Sequence, residues 1–84
     1  MQKVTVKLFA SLAESSASNI AGQISQQPLS TGDTINSIIE KANLPKEKLH
    51  LVILNGTYVE KDQRGERILA DGDVLAFWPS IVGG

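Results

Sequence analysis

The sequence predicts an α+β fold, in which one main helix packs across a mixed sheet of four or five strands. Three features predict it: an N-terminal segment that alternates apolar and polar residues, one stretch with helical apolar spacing, and an apolar segment near the C-terminal end. Because the chain has 84 residues, we expect a single domain.

Two strands are predicted in the first third of the chain. Residues 4–8 alternate apolar and polar side chains, which is typical of a half-buried strand whose inward positions are Val4, Val6 and Leu8. Residues 22–29 favour a second, weaker strand. Pro28 has no backbone N–H to donate to a ladder, so this strand is expected at a sheet edge or to finish near the proline.

The clearest element is a helix that follows these strands. Asp33 or Thr34 can cap it, because a side-chain oxygen there accepts a hydrogen bond from a backbone N–H that has no partner within the helix. Apolar residues then recur at helical spacing, namely Ile35, Ile38, Ile39 and Ala42. Pro45 interrupts the pattern, so the helix is expected to end by residue 43 or 44.

A hairpin and a final strand complete the predicted sheet. Residues 51–54 are apolar, and Asn55-Gly56 is the pair that a type I′ turn prefers, which predicts a return strand at 57–59. Residues 61–65 indicate a charged, exposed loop, and residues 68–70 form a short apolar piece before a turn at 71–73. The last strand is predicted at 74–78, and Pro79 ends its ladder.

The order of these elements favours a β-grasp, in which the first and last strands lie side by side and parallel beneath the helix. We therefore predict a β-grasp domain over residues 1–78 and a flexible C-terminal tail over residues 79–84.

Composition excludes several classes of function. The chain has no cysteine and one histidine, which rules out disulfides, a cysteine nucleophile and multi-histidine metal sites. Its net charge of −1 predicts no bulk attraction to nucleic acid or to an anionic membrane. The N-terminal residues lack the apolar run of a signal peptide, and we expect a cytoplasmic protein with no membrane span.

The tail is the candidate functional segment. Extended, its six residues reach roughly 20 Å. Gly83 and Gly84 have no Cβ, so the backbone can enter a narrow channel and present an unhindered carboxylate. Ile81 and Val82 are apolar and favour burial against a partner. The alternative is a frayed terminus without function.

The last strand offers a docking surface beside this tail. Leu75 and Phe77 are expected to face the core, so Val74 and Trp78 lie on the other side of the strand. We hypothesise that Trp78 and Val74 contact a partner, since tryptophan is enriched at binding hot spots. The alternative is that Trp78 packs on a neighbouring loop.

Several segments together resemble the MoaD/ThiS sulfur carriers, a family of ubiquitin-like β-grasp proteins. They are Lys7-Leu8-Phe9-Ala10, the Asn55 hairpin, the run from Leu69 to Phe77 and the Gly83-Gly84 end. The aromatic pair followed by proline is more similar to MoaD, the small subunit of molybdopterin synthase, than to ThiS, the thiamine carrier. Two positions depart from the pattern: Ser80 replaces a second proline, and Trp78 replaces the usual phenylalanine.

The resemblance implies a carrier that is not itself an enzyme and binds no cofactor. A ubiquitin-activating-type enzyme of the MoeB or ThiF kind would use ATP to adenylate the Gly84 carboxylate, and a persulfide donor would convert it into a thiocarboxylate. The tail from Pro79 through Gly83 would then enter a MoaE-like large subunit of molybdopterin synthase, where the sulfur passes to a pterin precursor. Transfer to thiamine or tRNA, ubiquitin-like modification of lysines and an inert interaction domain remain as alternatives.

The other polar residues are interpreted structurally. His50 is expected to be a surface residue at a strand end, and Asp71 and Asp73 to form a tight turn rather than an acid–base pair. Lys61, Arg64 and Arg67 are expected to lie on a solvated loop, and the alternative is that they contact an acidic partner.

Overall fold

The computed structural model describes residues 2–9 and 24–79, which form a five-stranded mixed sheet and one α-helix. The strands are β1 (Gln2–Leu8), β2 (Ile24–Leu29), β3 (Leu49–Leu54), β4 (Thr57–Tyr58) and β5 (Val74–Pro79), and helix α1 spans Ile35–Lys41. Their order across the sheet is β2-β1-β5-β3-β4. The predicted α+β architecture is confirmed.

The centre of the sheet is the predicted pairing of the first and last strands. β1 and β5 run parallel, with Val6 opposite Leu75 and Leu8 opposite Phe77. β2 pairs antiparallel with β1 at one edge, and the Pro28 in it matches the expected edge position. β3 pairs antiparallel with the other side of β5, which makes β5 the middle strand.

Helix α1 is closed at both ends by local hydrogen bonds. Thr34 is the N-cap and forms a capping box with Ser37, in which each side chain meets the other residue's backbone N–H. The helix ends at Lys41, slightly before the predicted end. Asn43 follows with a φ of 56°, and the N–H of Leu44 reaches the carbonyl of Ile39, a Schellman-type C-terminus.

The hairpin between β3 and β4 has the predicted turn. Asn55 and Gly56 have φ values of 50° and 85°, as a type I′ turn requires. β3 begins at Leu49, two residues before the predicted start, and a single 3₁₀ turn at Lys46–Lys48 leads into it. The apolar segment at 68–70 forms no full strand. Ile68 makes one isolated bridge with Thr34, and the adjacent Leu69 is buried.

The core lies between α1 and one face of the sheet. The apolar stripe of the helix packs against the inward residues of the central strands, and the fully buried side chains are Val4, Val6, Leu8, Ile35, Ile38, Ile39, Val52, Leu75 and Phe77. The opposite face of the sheet, which we call the open face, carries the alternate residues of each strand. Within the described ranges, no helix is long and apolar enough to cross a membrane.

Candidate functional site

The candidate site begins where β5 ends. Phe77 is completely buried, whereas Trp78 and Pro79 are half-buried and pair with Leu51 and Leu49 of β3. The strand therefore continues through Pro79, one residue beyond its predicted end. The predicted tail residues Ser80, Ile81, Val82, Gly83 and Gly84 lie outside the described residues, so their roles stay predictions.

Trp78 lies on the open face, as predicted, and is stacked on another aromatic ring. Its ring centroid is 4.2 Å from that of Phe9, and the two planes are within 3° of parallel. The backbone N–H of Phe9 also donates to the carbonyl of Phe77, at 3.1 Å, so β1 holds the phenylalanine beside the end of β5. Ring stacking fixes the orientation of Trp78 and leaves part of its surface accessible.

The open face forms an apolar surface that extends from Trp78 along the central strands. Residues directly opposite in neighbouring strands share a face. The pairings therefore place the apolar side chains of Leu51, Ile53, Val74, Ala76 and Trp78 together on the open face. Ile24 and Tyr58 lie at its two edges and are 63% and 47% exposed. Val74, predicted to act with Trp78, is half-buried on the same face of the same strand.

The charge of the open face is positive along β1. Lys3 and Lys7 belong to this face, because Lys7 pairs with both Ile24 and Ala76. The strand residues described on this face include no carboxylate. A partner that covers this surface is therefore expected to be apolar at the centre and acidic near β1.

The opposite end of β5 is occupied by the predicted turn. The Oδ1 atom of Asp73 accepts from the Asn55 side-chain amide at 2.9 Å, and its Oδ2 atom accepts from the Ala70 backbone N–H at 2.8 Å. The Oδ1 atom of Asp71 accepts from the Lys3 backbone N–H at 2.8 Å. Both carboxylates serve the fold, which agrees with the turn interpretation. No group of three potential metal ligands occurs among the described residues.

Arg64 contradicts the expectation of a solvated loop. It follows a 3₁₀ turn at Lys61–Gln63 and is 4% exposed. Its Nη1 and Nη2 atoms donate to the carbonyls of Leu49 and His50, at 3.0 and 3.3 Å. Burial lowers the pKa of Arg64 from its ordinary value, with a smaller opposing contribution from Tyr58. The signal that sequence reasoning missed is the guanidinium itself, whose rigid planar fork can donate to two adjacent carbonyls in a fixed geometry, whereas a lysine ammonium is a flexible point charge.

The neighbouring residues of this loop behave as predicted. Lys61 and Arg67 are exposed, and so is His50, which lies near the start of β3. The error for Arg64 arises because the number of charges in a segment does not reveal which one the fold can bury against free carbonyls.

Among comparisons with known proteins, a family model identifies the family, and solved structures identify the fold. A model described as the ThiS family matches residues 6–84. SAMP1 from Haloferax volcanii is 21% identical with a TM-score of 0.68, and the match covers 98% of this chain and 99% of that chain. A putative molybdopterin converting factor, subunit 1, from Pyrococcus furiosus is 24% identical with a TM-score of 0.66, over 96% of this chain and 100% of that chain.

These likenesses confirm the ubiquitin-like β-grasp fold and the resemblance noted from the sequence. A second structure of small archaeal modifier protein 1 from H. volcanii is 20% identical with a TM-score of 0.68, over 96% of this chain and 100% of that chain. No curated protein sequence matches the chain.

Proposed function

Since the chain belongs to the ThiS family of small ubiquitin-like carriers, we propose that it carries sulfur on Gly84 for molybdopterin synthesis. In this role it is the small subunit of a molybdopterin synthase, and its tail delivers the sulfur to a pterin precursor. The chain itself acts as a carrier, and the chemistry is performed by its partners.

The placement of β5 is the observation that carries this proposal. β5 is the middle strand of the sheet, and its last described residue, Pro79, is followed in the sequence by five residues that end in Gly83-Gly84. A reactive end attached directly to the central strand has a defined starting point relative to the open face, where we place the partner. Holding a reacting group in this way reduces the entropic cost of bringing it to an active centre.

The chemistry requires activation, because a carboxylate is a poor electrophile. A ubiquitin-activating-type enzyme transfers AMP from ATP to the Gly84 carboxylate and releases pyrophosphate. The terminal sulfur of a persulfide donor then attacks the carbonyl carbon, and AMP leaves with its electron pair. A thiol cleaves the remaining S–S bond, forms a disulfide with the donor's sulfur and leaves a thiocarboxylate on Gly84. The chain has no cysteine, so both sulfur-containing groups belong to partners.

The open face supports binding of these partners. Trp78 is half-buried and oriented by Phe9, and Val74 continues the apolar surface along the same strand. We place the adenylating enzyme and the large subunit on this face, with the tail from Pro79 to Gly84 entering their active centres. The resemblance of the Phe77-Trp78-Pro79 sequence to MoaD rather than ThiS supports molybdopterin over thiamine as the destination.

The experiment is to incubate the full chain with the adenylating enzyme from its own source, ATP and a persulfide donor, and to measure the intact mass. We expect a gain equal to the replacement of one oxygen by sulfur, located on the C-terminal peptide. Adding the large subunit and a pterin precursor should return the mass to its original value. If the chain acquires the thiocarboxylate but does not lose its sulfur to the pterin precursor, the molybdopterin role is contradicted.

A second candidate shares the adenylation step and differs in the acceptor. SAMP1 is named a modifier protein, and its fold is similar to this chain over nearly the whole length. In that role a lysine amine attacks the carbonyl of the Gly84 acyl-adenylate, AMP leaves with the electron pair of the broken C–O bond, and the amine loses a proton as the amide forms. Conjugates of the chain with lysines of other proteins, recovered from native cells, would select this candidate, and thiamine or tRNA thiolation would be recognised by sulfur transfer to those products.

A further inference from the structure

The β3–β5 ladder contains an irregularity opposite the base of the tail. Leu49 pairs with Pro79 and Leu51 pairs with Trp78, so His50 is an extra residue in β3. An extra residue of this kind is a β-bulge, which bends the strand and increases its twist. The bulge therefore affects β5 at the last two residues that the structure describes before the tail.

Arg64 binds the two carbonyls of this bulge. Its guanidinium donates to the carbonyl oxygens of both Leu49 and His50, from the side of β3 that does not face β5. Farther along the same edge of β3, the carbonyl of Val52 accepts a hydrogen bond from the backbone N–H of Val59. The arginine thus takes the place of a neighbouring strand where β4 is too short to reach.

Arg64 also connects this bulge to the helix. Its own carbonyl accepts from the backbone N–H of Asn36, in the first turn of α1, at 3.0 Å. Helix α1, Arg64 and the bulge form a continuous support that reaches Trp78 and Pro79 through the β3–β5 ladder.

The burial of this arginine costs desolvation free energy, which its hydrogen bonds to the two carbonyls offset only in part. Its Nε–H is buried with no hydrogen-bond partner, and the ion pair found among the described residues joins Lys41 and Asp33 instead. An apolar side chain of similar volume would fill the space without the cost of desolvating a charge. What it could not do is donate to two carbonyls at once with a rigid, planar fork.

We infer that Arg64 is a positioning residue, which holds the β-bulge at Leu49–Leu51 and so fixes the backbone of Trp78 and Pro79, from which the tail starts. This inference rests on the proposed function for its consequence, because the position of this starting point matters only if Gly84 must reach a partner's active centre. The hydrogen bonds of the Arg64 guanidinium go to carbonyls of β3. The arginine acts through the ladder between β3 and β5.

The test compares Arg64→Met and Arg64→Lys with Arg67→Met, which removes an exposed arginine from the same segment and serves as the matched control. The first measurement is the set of residual dipolar couplings of the Ser80 and Ile81 amides, together with hydrogen exchange at Leu51 and Trp78. The second is pyrophosphate release with the adenylating enzyme, at varied concentrations of the chain.

With Arg64→Met we expect the couplings after Pro79 to change and exchange at the bulge to accelerate about tenfold, while exchange at Val6 stays unchanged. We expect kcat of adenylation to fall about ten- to hundredfold because the reacting carboxylate is misplaced, with KM within about twofold because docking is intact. Arg64→Lys should give a smaller change in the same direction, and Arg67→Met none.

Unchanged couplings and unchanged kcat in folded Arg64→Met would overturn the inference, and so would a loss that appears in KM alone. If the methionine variant does not fold, the lysine variant decides by the same two measurements. If the wild-type chain releases no pyrophosphate, the proposed function fails, while the couplings and exchange rates still decide whether Arg64 fixes the start of the tail.

Discussion

The two ends of β5 are held by different means: hydrogen bonds from polar side chains at its start, and ring stacking and a β-bulge at its end. At its start, Asn55 bridges the strand to the turn: its side-chain oxygen accepts from the Val74 N–H, and its amide donates to Asp73. At its end, Trp78 and Pro79 have no such side-chain bonds to the backbone within the described part of the chain. They are supported from the sides, by the Phe9 ring and by the bulge in β3.

We interpret the start of β5 as serving the stability of the fold and its end as serving the position of the tail. Short polar side chains close the entry of β5 with directed hydrogen bonds, which also connect it to Lys3 of β1 and to the hairpin. The Phe9 ring and a β-bulge in β3 support the end of the strand at Trp78 and Pro79. We therefore expect substitutions at the entry to change stability and substitutions at the exit to change function.

The largest effect is expected from deletion of Gly84. The shortened tail would place its carboxylate one residue short of the adenylating active site. Conversion of the C-terminal carboxylate into a thiocarboxylate, which we call charging, should therefore fall below detection. The free energy of unfolding should stay within about 0.5 kcal/mol of the wild-type value. Intact mass after incubation with the enzyme, ATP and a persulfide measures the first, and chemical denaturation measures the second. If the shortened chain still acquired a substantial amount of thiocarboxylate, Gly84 would not be the residue that the adenylating enzyme requires.

Next in size is the substitution Trp78→Ala at the exit of β5. We expect partner affinity to weaken by about 2 kcal/mol, since a buried aromatic contact at an interface typically contributes this much. Titration calorimetry with the large subunit measures it. The matched control is Ile68→Ala, which truncates an apolar residue that is 64% exposed and lies outside the sheet. Equal affinities for the two variants would exclude Trp78 from the interface.

At the entry of β5, Asp73→Ala should reduce stability by about 1–2 kcal/mol, because it removes hydrogen bonds to the Asn55 amide and the Ala70 N–H. Charging of the folded variant should be unchanged. Asp62→Ala, an exposed aspartate in the 3₁₀ turn, is the control. A variant that unfolds normally but charges slowly would mean that the entry of β5 also takes part in function.

The smallest effect concerns Asp33, which lies at neither end of β5 and provides a reference. Its side-chain hydrogen bond with Lys41, followed by the bond from the Ser30 N–H, lowers the pKa of Asp33 below its ordinary 3.8. The carboxylate therefore stabilises the fold above about pH 4, and this contribution is lost as the pH falls through the folded-state pKa.

Denaturation of the wild type and Asp33→Asn between pH 7 and pH 2 measures this contribution. We expect a difference below about 1 kcal/mol at pH 7, because Lys41 is largely exposed, and the difference should shrink under acid conditions. A difference that grows as the pH falls would reverse the assignment.

The features that sequence predicts well here are those encoded by neighbouring residues. Asn55-Gly56 specifies its own turn, and Thr34 caps the helix through a residue three positions away. The parallel pairing of β1 with β5 was also predictable, because two apolar strands at opposite ends of one small domain can be buried best beneath the same helix.

The features that sequence missed depend on residues far apart in the chain. Arg64 is buried where the short β4 does not pair with the carbonyls of Leu49 and His50, so the arginine binds them instead. No local sequence pattern around Arg64 indicates that these carbonyls need a donor. The stacking of Trp78 on Phe9 likewise depends on the register between β1 and β5. The proposed functional segment, from Ser80 to Gly84, is inferred from the sequence and the family alone.

Because the chain contains no cysteine, alkylation can show directly whether Gly84 carries the sulfur. After incubation with the adenylating enzyme, ATP and a persulfide donor, the protein is treated with a thiol-alkylating reagent and its peptides are weighed. A thiocarboxylate is then the one strongly nucleophilic sulfur that the chain can hold. We predict a single alkyl group, on the peptide that contains Gly84. An unmodified Gly84 peptide, with the sulfur on another residue or on none, would show that Gly84 is not the carrier.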